Sequence, residues 1–243
     1  MNIEWFKVYD LEREHIILVG IITAIICCIT VVIAKLMDYE PKKIAWAISL
    51  INSATMCVIG FTYVLVKLYL RGFTLVWTID DFLGIDNIAV ICCTIFGVAN
   101  VFDLLLGLIF YPKYLALLTA WVHHLVYIWL MIYCTTGNGI FVSHKPFAQG
   151  FMWNIIEELP TFFLSLGSME PSMRSDAGFG SSFFVLRIVY HALLTIYAVT
   201  STAYGISVIV VYFLTLGLHI HWFTNWFAKY GKVLLSNNRD KQT

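Results

Sequence analysis

His123 and His124 stand side by side in TAWVHHLVYIWL, near the middle of an apolar run long enough to cross a bilayer. An imidazole titrates near neutrality, so it can serve as general base, nucleophile or proton carrier. At that depth a charged side chain costs roughly 2 to 3 kcal/mol on insertion scales, which drives it against other helices and toward partners. The partners of suitable chemistry are Asp103 and Glu158, also inside apolar runs. A carboxylate beside a histidine orients the ring and raises its basicity. His123, His124, Asp103 and Glu158 are therefore the candidate catalytic set. Asn154, Thr161, Arg187, His191, His221 and Asn225 are candidates for holding a substrate.

These residues need helices to place them. A span takes about 20 apolar residues, and the chain offers seven such runs: Ile16 to Ala34, Ile44 to Val66, Ile88 to Phe110, Tyr114 to Cys134, Phe147 to Gly167, Ser182 to Ala203 and Gly205 to Phe227. The reading is an all-α polytopic bundle over 16–228, with an N-terminal segment at 1–15 and a polar tail at 229–243. The YPK turn is too short to reach across another helix, so the third and fourth spans are predicted to be antiparallel neighbours. Lys67 and Arg71 are read as snorkelling from the end of the second span, and TIDDFLGIDN as a loop.

Residues three, four and seven apart share a helix face. Asn100, Asp103 and Gly107 fall on one stripe, and Thr119, His123 and Tyr127 on another, which favours His123 over His124 for the polar interior. Asn154, Glu158, Thr161 and Ser165 line the fifth span, with Glu157 nearer its edge, and Pro160 is predicted to kink the helix there. Arg187, His191 and Thr195 stripe the sixth span, and His221 with Asn225 the seventh. At ~1.5 Å per residue, His123 and Glu158 lie near the midplane, with Asp103, Arg187, His219 and His221 one or two turns to one side. Buried charge needs pairing, so these groups are expected to converge on a polar intramembrane chamber. Gly97 and Gly107 are read as points of close helix approach.

With 60% hydrophobic and 12% charged residues, a formal net charge of zero and a mean hydropathy of +0.82, the chain is far more apolar than soluble domains, which carry about 25% charged residues. Zero net charge removes the electrostatic case for a nucleic-acid partner. All six cysteines fall in apolar runs, which argues for buried thiols rather than disulfides. No inverted repeat of the kind transporters show is visible. No metal is assigned, because HH and HIH do not put two imidazoles on one helix face as HxxxH does. Lys35, Lys42, Lys43, Lys113, Arg174, Lys229, Lys232, Arg239 and Lys241 fall on one side of the membrane, against Lys7, Arg13, Lys67, Arg71 and Lys145 on the other. By the positive-inside rule the C-terminus is cytosolic.

ANVFDLLLGLIFYPK, AWVHH, IIEELPTFFLSLG, VLRIVYH and HWFTNWFAKYGKVL, in that order, resemble the landmarks of the TLC domain. That domain is shared by a translocon-associated protein, the longevity-assurance ceramide synthases, a neuronal ceroid lipofuscinosis protein and many small stand-alone members. The resemblance covers about the last three fifths of the chain and lies closer to the stand-alone members, since the aspartate-rich signature of the synthases is not visible. It implies a near-seven-helix bundle around a lipid-accessible chamber in the endoplasmic reticulum or another endomembrane. The function it implies is lipid binding or regulation of membrane lipid composition, with no cofactor. A homodimer or another membrane protein is a possible partner alongside lipid. The alternative it implies is acyl transfer from acyl-CoA to an amine or hydroxyl, with His123 or His124 as the acyl-transfer histidine.

Overall fold

The computed structural model describes residues 13–73, 77–78, 81–82, 86–136, 148–201 and 206–231. Among them every regular element is a helix, and five helices are long and apolar enough to cross a membrane: Arg13–Leu36, Pro41–Leu70, Asn87–Phe110, Asp176–Thr200 and Val208–Tyr230. The fourth expected span holds a shorter apolar helix, Ala120–Thr135. The fifth is interrupted. Most of the segments expected at 1–15 and 229–243, and the loop at 137–147 with His144, lie outside the described residues. The chain divides into two compact units, 1–158 and 159–243.

In the first unit, α1 (Arg13–Leu36) is rich in Ile, Val and Thr. Such residues are mediocre helix formers in water, but in hydrocarbon every backbone group must be bonded within the segment, so helix is enforced. Ile17, Leu18, Ile21, Ile25, Ile29 and Val32 remain about half exposed, a surface suited to acyl chains. α1 ends where Asp38 takes a left-handed conformation, φ 56°, which a short polar side chain tolerates. Pro41 then opens α2 (Pro41–Leu70) at a position where its missing N–H costs nothing.

α3 (Asn87–Phe110) starts at Asp86, whose carboxylate accepts from the Ala89 N–H at 2.7 Å, an N-cap that satisfies one orphan donor. It is the central helix of this unit, packing against α1, α2, α4 (His123–Thr136) and α5 (Ala148–Asn154). Phe96 meets Tyr127 edge-on at 5.2 Å. A Cβ on Gly97 would lie 3.2 Å from the Met131 Cβ, so this glycine admits the close approach expected of it. Together with Asp103 opposite His124, these contacts fix α3 and α4 antiparallel, as the short turn requires. A π-helical stretch, Leu117–Val122, leads into α4, and a 3-10 turn, Ile155–Glu158, follows α5 immediately ahead of Pro160.

In the second unit, α6 (Leu159–Met169) is followed by one continuous helical rod made of α7 (Asp176–Ser182), a π-helical stretch Phe183–Tyr190 and α8 (His191–Thr200). α9 (Ile206–Trp226) packs back along α8. Ser175 caps α7 by accepting from the Gly178 N–H at 3.0 Å. Phe183 stacks on Phe223 at 5.8 Å, and Trp226 meets Phe179 edge-on at 5.4 Å, closing the apolar seam between α9 and the rod.

Candidate functional site

α3 and α4 bring Asp103 and His124 together: Asp103 Oδ2 lies 3.4 Å from His124 Nε2. The other carboxylate oxygen, Oδ1, accepts from the Tyr111 hydroxyl at 2.5 Å, and the same hydroxyl lies 3.1 Å from the Asp103 carbonyl. Tyr111 is only 1% exposed and Asp103 6%. Gly107 makes this possible. A Cβ there would stand 2.8 Å from both the Tyr111 ring and the Leu115 side chain, so only glycine lets Tyr111 fold back over the last turn of α3. Sequence reasoning took YPK as a mere turn and missed the tyrosine. The signal was present as an Asp, Gly and Tyr at 103, 107 and 111, one helix face continued into the turn.

The histidine facing the carboxylate is His124, where polar periodicity favours His123. The buried face of α4 is chosen by packing on α3: Ala120, Met131 and Cys134 are buried, Met131 lies against Gly97, and His124 shares that face. Polarity along α4 was the wrong criterion, because volume complementarity sets the register. His123 packs edge-on against Tyr127 at 4.7 Å and against His124 at 5.6 Å. The His124 side chain is 13% exposed, and its Nδ1 is buried without a hydrogen-bond partner. If Nε2 carries the proton toward the carboxylate, Nδ1 presents a lone pair. That is the protonation pattern of an oriented base or nucleophile.

The remaining predicted residues have contacts of their own. Asn154 turns its amide to the Gly150 carbonyl of its own helix at 2.9 Å. Glu158 is buried, and so is Glu157, which helical spacing had put at an edge. The 3-10 turn tightens the spacing at these positions, so α-helical periodicity misassigns the neighbour. In the second unit Arg187 donates to the Thr161 hydroxyl at 2.5 Å and lies 5.3 Å from the Phe183 ring centroid. His219 is 1% exposed. Its Nδ1 lies 3.0 Å from the Arg187 carbonyl. His191 Nε2 lies 3.2 Å from the Tyr212 carbonyl, and the His191 and His219 rings meet edge-on at 5.0 Å. His221 and Asn225 are exposed and pair with each other at 3.0 Å.

Lys67 and Arg71 do more than snorkel. Lys67 lies 3.7 Å from the buried Asp86, which also accepts from the Tyr63 hydroxyl at 2.7 Å. Arg71 is paired with the buried Asp81, whose carboxylate accepts from the Thr78 N–H at 2.6 Å and whose carbonyl accepts from the Trp153 indole at 3.1 Å. These contacts staple the connection between α2 and α3. Cys27, Cys28, Cys92, Cys93 and Cys134 form no disulfide. A cavity of about 250 Å³ lies among α1, α2 and α3, bordered by Cys27 and Ala99. Compared with protein-family models, with curated proteins and with solved structures, the chain matches none.

Proposed function

We propose that this chain is an integral membrane protein of TLC-like, near-seven-span architecture, residing in an endomembrane with its C-terminus cytosolic, that engages membrane lipid at Asp103, His124 and Tyr111 and thereby binds lipid or adjusts membrane lipid composition. The observation that carries this reading is the buried carboxylate held between a tyrosine and an imidazole at the contact of two apolar helices. Buried polar groups in such a setting are costly and mark functional sites. The ordered landmarks named above and the five helices apolar enough to span a membrane support the architecture.

One further observation favours a second reading, acyl transfer. The His124 Nδ1 is unpartnered while Asp103 faces Nε2. In that reaction Nδ1 attacks an acyl-CoA thioester carbonyl, forming a C–N bond as the C–S bond breaks and the thiolate leaves. An amine or hydroxyl then attacks the acyl-imidazolium, the bond between the acyl carbon and Nδ1 breaks to restore the neutral ring, and the acceptor's proton neutralises the coenzyme A thiolate to the thiol. The test is expression of wild type, His124→Asn and Asp103→Asn in cells lacking the native protein, followed by lipid profiling. Both readings expect the wild-type profile to differ from both variants. Only acyl transfer also expects purified wild type to release coenzyme A thiol from acyl-CoA, with His124→Asn at background. Identical profiles for wild type and folded variants would overturn the assignment of this site.

A further inference from the structure

In the second unit, two of the helices long and apolar enough to cross a membrane have ends that come together: Asp176–Thr200 begins where Val208–Tyr230 finishes. Two cations far apart in sequence meet one aromatic ring there. The Arg174 guanidinium carbon lies 5.0 Å from the Tyr230 ring centroid, and the Lys229 Nζ lies 5.1 Å from it, both within reach of its π face. Gly167 lets the chain pass this close, since a Cβ there would stand 3.1 Å from the Arg174 Cα and Cβ. Asp176 accepts from the Arg174 Nε and Nη2 on one oxygen, at 3.0 and 2.8 Å. That steadies the guanidinium but occupies only two of its five donors. Glu170, the other carboxylate of this loop, accepts from the Ser172 N–H and hydroxyl. Two cations against one carboxylate leave the cluster at the ring net positive.

The sequence beyond it adds charge of the same sign. Residues 229–243 hold Lys229, Lys232, Arg239 and Lys241 against Asp240 alone. Four basic residues directly after a span are the composition that draws a chain to an anionic membrane surface. Apolar surface adjoins the cations. Met173, next to Arg174, is 56% exposed, and Phe227, two residues before Lys229, is 46% exposed. We propose that Arg174, Lys229 and the Tyr230 ring form a headgroup site for an anionic phospholipid, its phosphate set between guanidinium and ammonium and its acyl chains lying along Met173 and Phe227. Arginine offers the phosphate a planar fork and lysine a point charge. A zwitterionic headgroup brings a cation of its own into the cluster, whereas a singly negative one neutralises it, so phosphatidylserine fits where phosphatidylcholine does not. The site is independent of the role given to His124 and requires only that these two helices lie in a bilayer.

The test is photolabelling of the whole protein in phosphatidylcholine vesicles with two probes that differ only in headgroup, phosphatidylserine and phosphatidylcholine, each bearing a diazirine high on one acyl chain. Labelled residues are located by mass spectrometry. The serine probe is expected to label around Met173 and Phe227 about fivefold more than the choline probe, the factor that one uncompensated basic charge gives near an anionic headgroup. Arg174→Gln combined with Lys229→Gln should bring the two probes to parity there. Asp176→Asn, which removes the competing carboxylate, should raise the preference for the serine probe, a gain that misfolding would not produce. Equal labelling by the two probes in wild type, a preference that survives the double variant, or one that Asp176→Asn lowers would overturn the proposal. Displacement of the serine probe by millimolar inorganic phosphate would overturn it too, by making this a site for a free anion. The wild-type comparison needs no variant, and because the vesicles carry probe in both leaflets it does not depend on which side the C-terminus occupies.

Discussion

In the first unit an imidazole faces a carboxylate; in the second, two imidazoles face backbone carbonyls. The difference is chemical. A carbonyl needs only an N–H, so the contacts of His191 with Tyr212 and of His219 with Arg187 fix ring orientation and fasten α9 to the helical rod. A carboxylate interacts with the charge that develops on a ring as it takes up a proton, which makes the Asp103 and His124 pair responsive to chemistry. Equal burial of a histidine therefore does not mean equal role. His219, 1% exposed, is held by a backbone carbonyl, whereas His124 is held by a side-chain carboxylate whose interaction with the ring depends on the ring's charge.

The sharpest way to break this contrast is at Asp103. Asp103→Leu takes the short carboxylate acceptor from the buried Tyr111 hydroxyl, leaving it the carbonyl of residue 103 at 3.1 Å, and removes the partner of His124; each buried polar group left unsatisfied costs about 1–3 kcal/mol. The expected loss is about 1–3 kcal/mol in the unfolding free energy of the detergent-solubilised protein. Adding Tyr111→Phe removes the weakened hydroxyl and should recover part of that loss. Strict additivity of the two substitutions would show that the tyrosine and the carboxylate are uncoupled. A comparable effect is expected in the second unit. His219→Leu leaves the Arg187 carbonyl without its imidazole and should cost about 1–3 kcal/mol, with lipid profiles unchanged once expression is matched. A changed profile at normal stability would mean that the second unit also holds a reacting histidine.

The sequence made the all-helical, membrane-spanning character legible, because long apolar runs depend only on local composition. It also placed Asp103 and a histidine of the pair in one site, since the YPK turn leaves α3 and α4 no arrangement but antiparallel contact. The choice between His123 and His124 was beyond it: that choice depends on Gly97 admitting Met131, a matter of volume that polarity does not encode. The same holds for Asp81 and Asp86, which read as loop residues. Only tertiary structure carries Arg71 and Lys67 to them. The break at Pro160 was readable, but not its form: a 3-10 turn ahead of the proline buries Glu157 together with Glu158.

The smallest effect expected is at Arg174 and Asp176, the exposed counterpart of the buried pair. Arg174 donates to Asp176 Oδ1 at 3.0 and 2.8 Å, with the two side chains 44% and 31% exposed. The hydrogen bond it donates to Asp176 holds the Arg174 guanidinium above its ordinary pKa, so it stays charged at any pH the protein would meet. Asp176 also sits in the first turn of α7, where the helix dipole favours negative charge. Solvent screening keeps exposed pairs of this kind below about 1 kcal/mol, so Asp176→Asn should lower stability by less than that. Salt then separates the two kinds of pair. At 1 M the Debye length falls to about 3 Å, so the penalty of Asp176→Asn should shrink toward zero while that of Asp103→Leu persists, because ions cannot enter the contact between α3 and α4. A salt-sensitive penalty at Asp103 would mean that water reaches the carboxylate, and the contrast between buried dyad and exposed pair would fail.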